Sequence, residues 1–202
     1  MKRFWIFAAT ILGSIACTAA LATGNAEAGA SKATVCQGCH GANGNSVNPE
    51  WPSLAGLGAG YIVEQLRNFK EGKRNNPIMI PMAAPLSPQD MADLAAYFDS
   101  LANTGLEADP TYFRAGEKLY RGGEKARGIP ACMACHGPHG HGNEPADFPS
   151  LHGEHSAYIA KQLNDYASGA RPPGPGGIMA TIAKRLSVDD IRNLSSYVQG
   201  LR

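Results

Sequence analysis

Two short stretches of this chain combine side chains that can do chemistry. Cys36-Gln37-Gly38-Cys39-His40 and Cys132-Met133-Ala134-Cys135-His136 each place two thiols about one helical turn apart, with an imidazole directly after them. Thiols at that spacing can form thioethers to the two vinyl groups of one haem. The histidine is then held under the iron, where it can be the proximal ligand. Other chemistries also use paired cysteines. A zinc ribbon wants its pairs roughly 15–20 residues apart, whereas 92 residues lie between Cys39 and Cys132 and a histidine follows both pairs. A thioredoxin-like pair wants a βαβ setting, and no strand pattern is visible. Plain disulfides explain neither the histidine nor its recurrence.

The recurrence runs along the whole chain. Trp51-Pro52-Ser53-Leu54-Ala55-Gly56 returns as Phe148-Pro149-Ser150-Leu151-His152-Gly153. Tyr61-Ile62 and Gln65-Leu66 return as Tyr158-Ile159 and Gln162-Leu163, Gly72 and Arg74 as Gly169 and Arg171. Such self-similarity is the mark of an internal duplication. The expected division is a leader at 1–28, one domain at 29–106 and a second at 107–202, with Asn103 to Pro110 as linker.

A low-spin carrier site needs a second axial donor, and a Met thioether raises the potential. Met179 lies seven residues before Leu186, and Met79 lies seven before Leu86, so these two are positional twins. Met79 and Met179 are the expected sixth ligands. Met82 aligns with Ile182 and is the alternative in the first half, with packing its expected role. Met91 and Met133 are expected to pack. Arg74 and Arg171 are read as loop or surface residues or as neighbours of haem propionates. His139, His141, His152 and His155 have no twins and are read as surface or loop histidines, with a peripheral metal site as the alternative.

The elements that must hold these groups are helices. Ser87-Pro88-Gln89-Asp90 is a helix start, with Ser as cap and Pro at the first position. Met91, Leu94, Ala95, Phe98 and Leu101 follow at helical spacing, and Ile191, Leu194, Val198 and Leu201 repeat this after Ser187. A middle helix carries Ile62, Leu66 and Phe69, or Ile159, Leu163 and Tyr166, ending near Gly72 or Gly169. Short helices precede each cysteine motif, around 29–35 and 112–121. The fold class is therefore all-α, with Gly/Pro-rich loops.

Composition agrees. Charged residues are 17% and the net charge is +1, which excludes a coiled coil and gives no reason to expect nucleic acid as partner. Only 37 of 202 residues are Leu, Ile, Val or Phe. Two small lobes so built are short of core, and a cofactor can supply what is missing. At the N-terminus, Lys2 and Arg3 precede an uncharged stretch that ends in Ala20-Leu21-Ala22 and Ala26-Glu27-Ala28. This reads as an export signal cut after Ala28. An uncleaved anchor, or lipid attachment at Cys17, remains open.

With these motifs the chain resembles the dihaem cytochrome c4 family. The likeness also rests on His40-Gly41 with Gly44-Asn45, on Asp93-Leu94-Ala95-Ala96-Tyr97-Phe98 and on Ser195-Ser196-Tyr197-Val198-Gln199-Gly200-Leu201. The resemblance implies two tandem class I cytochrome c lobes about a pseudo-twofold axis, with two covalently bound haem c groups. It implies Met79 and Met179 as ligands. It implies a periplasmic carrier, free or loosely membrane-associated, between a quinol-oxidising complex and a terminal oxidase. Two alternatives differ in kind: a dihaem peroxidase or thiosulfate dehydrogenase, or an electron-transfer subunit of a larger complex. Full His/Met ligation at both irons favours the carrier, because neither iron then offers an open position.

Overall fold

The computed structural model describes residues 23–201. Most of the leader and Cys17 lie outside them. Ten α-helices run α1 (Ala26–Lys32), α2 (Thr34–His40), α3 (Ala59–Lys70), α4 (Met79–Ala83), α5 (Pro88–Asp99), α6 (Pro110–Gly122), α7 (Met133–His136), α8 (Ser156–Ser168), α9 (Ile178–Ala183) and α10 (Val188–Gln199). Among the described residues the only β pairings are two isolated bridges, Glu124 with Ile129 and Asn143 with Phe148. No described helix is long and apolar enough to cross a membrane.

Each lobe is closed by a crossing of its first and last helices, α1 on α5 and α6 on α10. Both last helices start from a full capping box. Ser87 Oγ accepts from Asp90 N at 3.1 Å while the Asp90 carboxylate accepts from Ser87 N at 2.9 Å. Ser187 and Asp190 repeat the pair at 3.1 and 2.8 Å. Such caps satisfy donors that the first turn leaves orphaned. The buried faces are Met91, Leu94, Ala95 and Phe98 on α5, and Ile191, Leu194 and Val198 on α10, as their spacing predicts. The middle helices α3 and α8 bury Ile62 with Phe69, and Ile159 with Tyr166.

A glycine permits each crossing. A Cβ on Gly29 would lie 2.0 Å from Asp93 O, and one on Gly116 would lie 2.2 Å from Asn193 O. Backbone, not a flexible side chain, blocks the space, so the helices would have to separate. Gly116→Ala is expected to cost about 1–3 kcal/mol. A thermal melt reads that as a fall of about 4–8 °C per kcal/mol in a lobe of this size. Gly122→Ala, at a position with open space around it, should leave the melt unchanged.

The expected leader boundary falls within α1. Ala26-Glu27-Ala28, the expected cleavage site, lies inside this helix. Asn25 is its cap, accepting from Ala28 N at 2.9 Å, and Asn25 N donates to Asp93 Oδ1 at 2.9 Å. Asp93 also receives Lys32 Nζ at 2.7 Å. A cut after Ala28 would remove the cap and the first turn of a helix docked on α5.

The apolar clusters are small. The N-terminal lobe buries Ala33, Ile62, Leu94, Ala95 and Phe98 together. The C-terminal lobe adds aromatic weight, with Tyr120 and Tyr197 at 5.3 Å between ring centres. Tyr120 also donates to Gly137 O at 2.7 Å, tying α6 to the end of the second cysteine motif.

Candidate functional site

The two histidines are held in the same way. His40 ends α2 and His136 ends α7, and both rings are buried. His40 Nδ1 lies 2.8 Å from Pro52 O, and His136 Nδ1 lies 2.9 Å from Pro149 O. With Nδ1–H donating to a carbonyl, Nε2 is the nitrogen left with its lone pair for a metal. Burial pushes both imidazoles below their usual value, against the opposing pull of the carbonyl, so the neutral ligating form is favoured. The recurring Pro52 and Pro149 are thus more than loop formers, because their carbonyls orient the rings.

Each histidine opens on a cavity of about 200 Å³. The first also takes in Cys36, Cys39, Met79 and Met82, and the second Cys132, Cys135 and Met179. Met79 begins α4 and Met179 is the second residue of α9. Met82 sits one turn beyond Met79 and lines the first cavity, as its twin Ile182 lines the second. None of the four cysteines forms a disulfide. Burial raises the thiols of Cys36 and Cys132, the latter to about 11.

The cavities share a wall. Pro52, Tyr61, Gln65, Tyr158, Gln162 and Arg171 line both. Here Arg74 and Arg171, read from sequence as loop or surface residues or as propionate neighbours, are buried. Arg74 donates to Gln65 Oε1 (3.0 Å), Tyr158 Oη (2.9 Å) and Gln162 Oε1 (2.7 Å). Arg171 donates to Gln162 Oε1 (2.9 Å), Gln65 Oε1 (3.1 Å) and Tyr61 Oη. Each arginine bonds its own lobe's glutamine and the other lobe's tyrosine and glutamine. All of these partners are neutral. Two buried guanidinium groups beside paired cavities suit anions, and haem propionates would supply them. Thiol pairs, neutral imidazoles, thioethers and buried cations together form a donor set that fits haem.

Further contacts join the lobes. Ser53 N donates to the Glu154 carboxylate at 3.1 and 3.3 Å, and Ser150 N donates to Leu57 O at 3.2 Å. His155 is a correction to the sequence reading. It is buried, and its Nε2 lies 2.8 Å from Ser46 O across the boundary. His139, His141 and His152 lie near one another, the last two with rings 4.8 Å apart. Tyr61, Gln65 and their twins were visible as recurring polar residues on otherwise apolar helix faces. Glu154 gave no such signal, since Leu57 occupies the matching position.

Comparison with known proteins agrees with this arrangement. The cytochrome c family model matches the chain twice, over residues 26–102 and 113–202. The chain is 48% identical over 190 residues to cytochrome c4 of Azotobacter vinelandii, covering 89% of this chain and 90% of that one. It matches the crystal structure of reduced recombinant cytochrome c4 from Pseudomonas stutzeri with a TM-score of 0.87 at 47% identity, over 89% of this chain and 100% of the other. It is also 42% identical over 161 residues to a thiosulfate dehydrogenase electron acceptor of Thiomonas intermedia strain K12, covering 77% of this chain and 73% of that protein.

Proposed function

The chain belongs to the cytochrome c family as a dihaem protein of the c4 type, and from that premise we propose how its own residues hold and connect two redox sites. It is an electron-transfer protein, not an enzyme, and it carries two covalently bound haem c groups. When bound, each haem supplies an iron that takes up and returns one electron. Cys36 and Cys39 are the thioether anchors in the N-terminal lobe, with His40 and Met79 as axial ligands. Cys132, Cys135, His136 and Met179 play the same parts in the C-terminal lobe.

The observation that carries this reading is the pair of cavities with one common wall. In each cavity a Cys-x-x-Cys-His motif and a twin methionine meet. Neutral ligands at both axial positions keep the ligand set unchanged between oxidation states, which suits repeated electron transfer. Pro52 and Pro149 hold the imidazoles in one orientation. Arg74 and Arg171 would pair with haem propionates at the wall that the two cavities share.

In its setting, the chain works in the periplasm. Its leader is removed after Ala20-Leu21-Ala22, which leaves α1 and its Asn25 cap whole. It carries electrons from a quinol-oxidising complex to a terminal oxidase. A second donor is favoured by a specific relative, the thiosulfate dehydrogenase electron acceptor. Stopped-flow mixing of the purified holoprotein distinguishes them. Rapid reduction by quinol-fed membranes, followed by oxidation by a terminal oxidase, supports the respiratory route. Reduction only by a thiosulfate dehydrogenase supplied with thiosulfate would replace that donor. No reduction by either would contradict both. Mass spectrometry of the same sample reads the N-terminus, and a mature chain beginning at Gly29 would overturn the assigned leader.

A further inference from the structure

Glu154 is a buried titratable group that neither ligand set uses. It is only 6% exposed and lies on the loop that leads into α8. Its carboxylate accepts from Ser53 N and from His155 N, the latter at 2.8 Å. These partners are backbone N–H groups, not cations. Burial dominates over those bonds and pushes the carboxyl up to about 8.

Its place is where the lobes stop being equivalent. Glu154 aligns with Leu57, and in the mirror contact Ser150 N donates to the Leu57 carbonyl. An ionisable side chain on one side therefore does what a neutral carbonyl does on the other. Ser53 directly follows Pro52, whose carbonyl holds His40. Glu154 also lines the cavity that contains His136. One carboxyl thus bonds the residue next to the support of His40 and lines the cavity of His136.

Building on the haem assignment above, we propose that Glu154 is the proton-coupling group of this carrier, protonated when electrons enter and deprotonated when they leave. One electron comes from the redox partner and one proton from water. Glu154 would take up one proton as the carboxylate becomes the acid, balancing the charge of one electron of the two that the haems would accept. The driving force is the cost of an uncompensated charge in a low-dielectric interior. The other titratable or charged groups facing this wall are Tyr61 and Glu64 on α3, Tyr158 on α8, Arg74, Arg171, Asp147, the adjacent His155 and the propionates that the two arginines would hold. Arg171 is tied to Tyr61 and Gln65, burial keeps the Tyr158 phenol raised and neutral, and Asp147 is exposed and screened.

The sign follows from the charge. An anionic Glu154 stabilises the ferric state, so the carboxyl holds its proton more tightly beside ferrous than beside ferric iron, and the midpoint potentials fall with rising pH between those two affinities and level off outside them. The test is a potentiometric titration of the holoprotein from about pH 6 to about pH 10 for wild type, Glu154→Gln and Glu154→Leu. In both variants the fall is expected to vanish, and the potentials at the alkaline end to exceed wild type. Glu154→Gln keeps an oxygen to accept the Ser53 and His155 N–H groups. It should also abolish a carboxyl band in the reduced-minus-oxidised infrared spectrum. A pH slope that survives in Glu154→Gln, a wild type without slope, or a wild-type infrared spectrum without that band would each overturn the proposal. If Glu154→Leu does not fold, the Gln variant and the wild-type band decide. Failure of the haem assignment is separately visible as missing haem mass in wild type.

Discussion

Replacing Met79 by Leu is expected to remove the weak Met–iron charge-transfer band of one haem and leave the other's in place. Met79 begins α4 inside the cavity that holds His40, and it is the positional twin of Met179 in the cavity that holds His136. A neutral thioether favours ferrous iron, so its loss lowers the midpoint potential. The fall should be on the order of 0.1 V, a small part of the roughly 0.8 V that axial ligation can span. At about 59 mV per factor of ten for one electron, that is a change of roughly fiftyfold in the redox equilibrium. Met82→Leu is the matched control. It changes an apolar contact in the same cavity, at the position of Ile182, and should leave both bands and both potentials near wild type. Loss of the band in Met82→Leu and its retention in Met79→Leu would reverse the ligand assignment. The optical spectrum of the oxidised protein checks both.

A larger effect is expected when all four thiols are removed. With Cys36, Cys39, Cys132 and Cys135 changed to Ala, no haem is anchored, and the chain should lose its cooperative thermal transition and its near-ultraviolet circular dichroism. The buried cluster of the N-terminal lobe holds three large side chains, Ile62, Leu94 and Phe98, beside two alanines. The C-terminal cluster is better supplied, with Leu119, Tyr120, Leu194 and Tyr197. Even so, each lobe is near the size at which a core needs a cofactor, a metal or a disulfide to be stable. A porphyrin plate gives α3 and α5, or α8 and α10, an apolar surface to pack on. A cooperative melt in the haem-free variant would show that the helices make a sufficient core without it.

The parts of this protein that depend on neighbouring residues were legible in the sequence. The capping boxes at Ser87 and Ser187 are four-residue signals, and the helices they start lie where the spacing of Leu94, Phe98, Leu194 and Val198 puts them. The duplication itself separated Met79 from Met82 as the expected ligand. What escaped depends on contacts between lobes. Arg74 and Arg171 stand in Gly- and Pro-containing loops, which look exposed until the other lobe covers them. His155 is buried by Ser46, over one hundred residues earlier. A repeat compares each residue with its own twin, whereas these side chains meet the twin's neighbours. Glu154 is harder still, because it matters through its difference from Leu57. The early start of α1 was hidden for another reason: its Ala- and Gly-rich sequence resembles the small-residue end of a leader. In the fold, Asn25 and Gly29 of this segment pack on Asp93.

If two equally ligated His/Met haems stand against one shared wall and carry electrons, a redox titration of the purified holoprotein, followed by optical and electron paramagnetic resonance spectra, should resolve two one-electron steps. Each oxidised haem should give a low-spin signal and a Met–iron charge-transfer band. A high-spin iron, or a single one-electron step accounting for all the haem present, would rule out paired His/Met carriers.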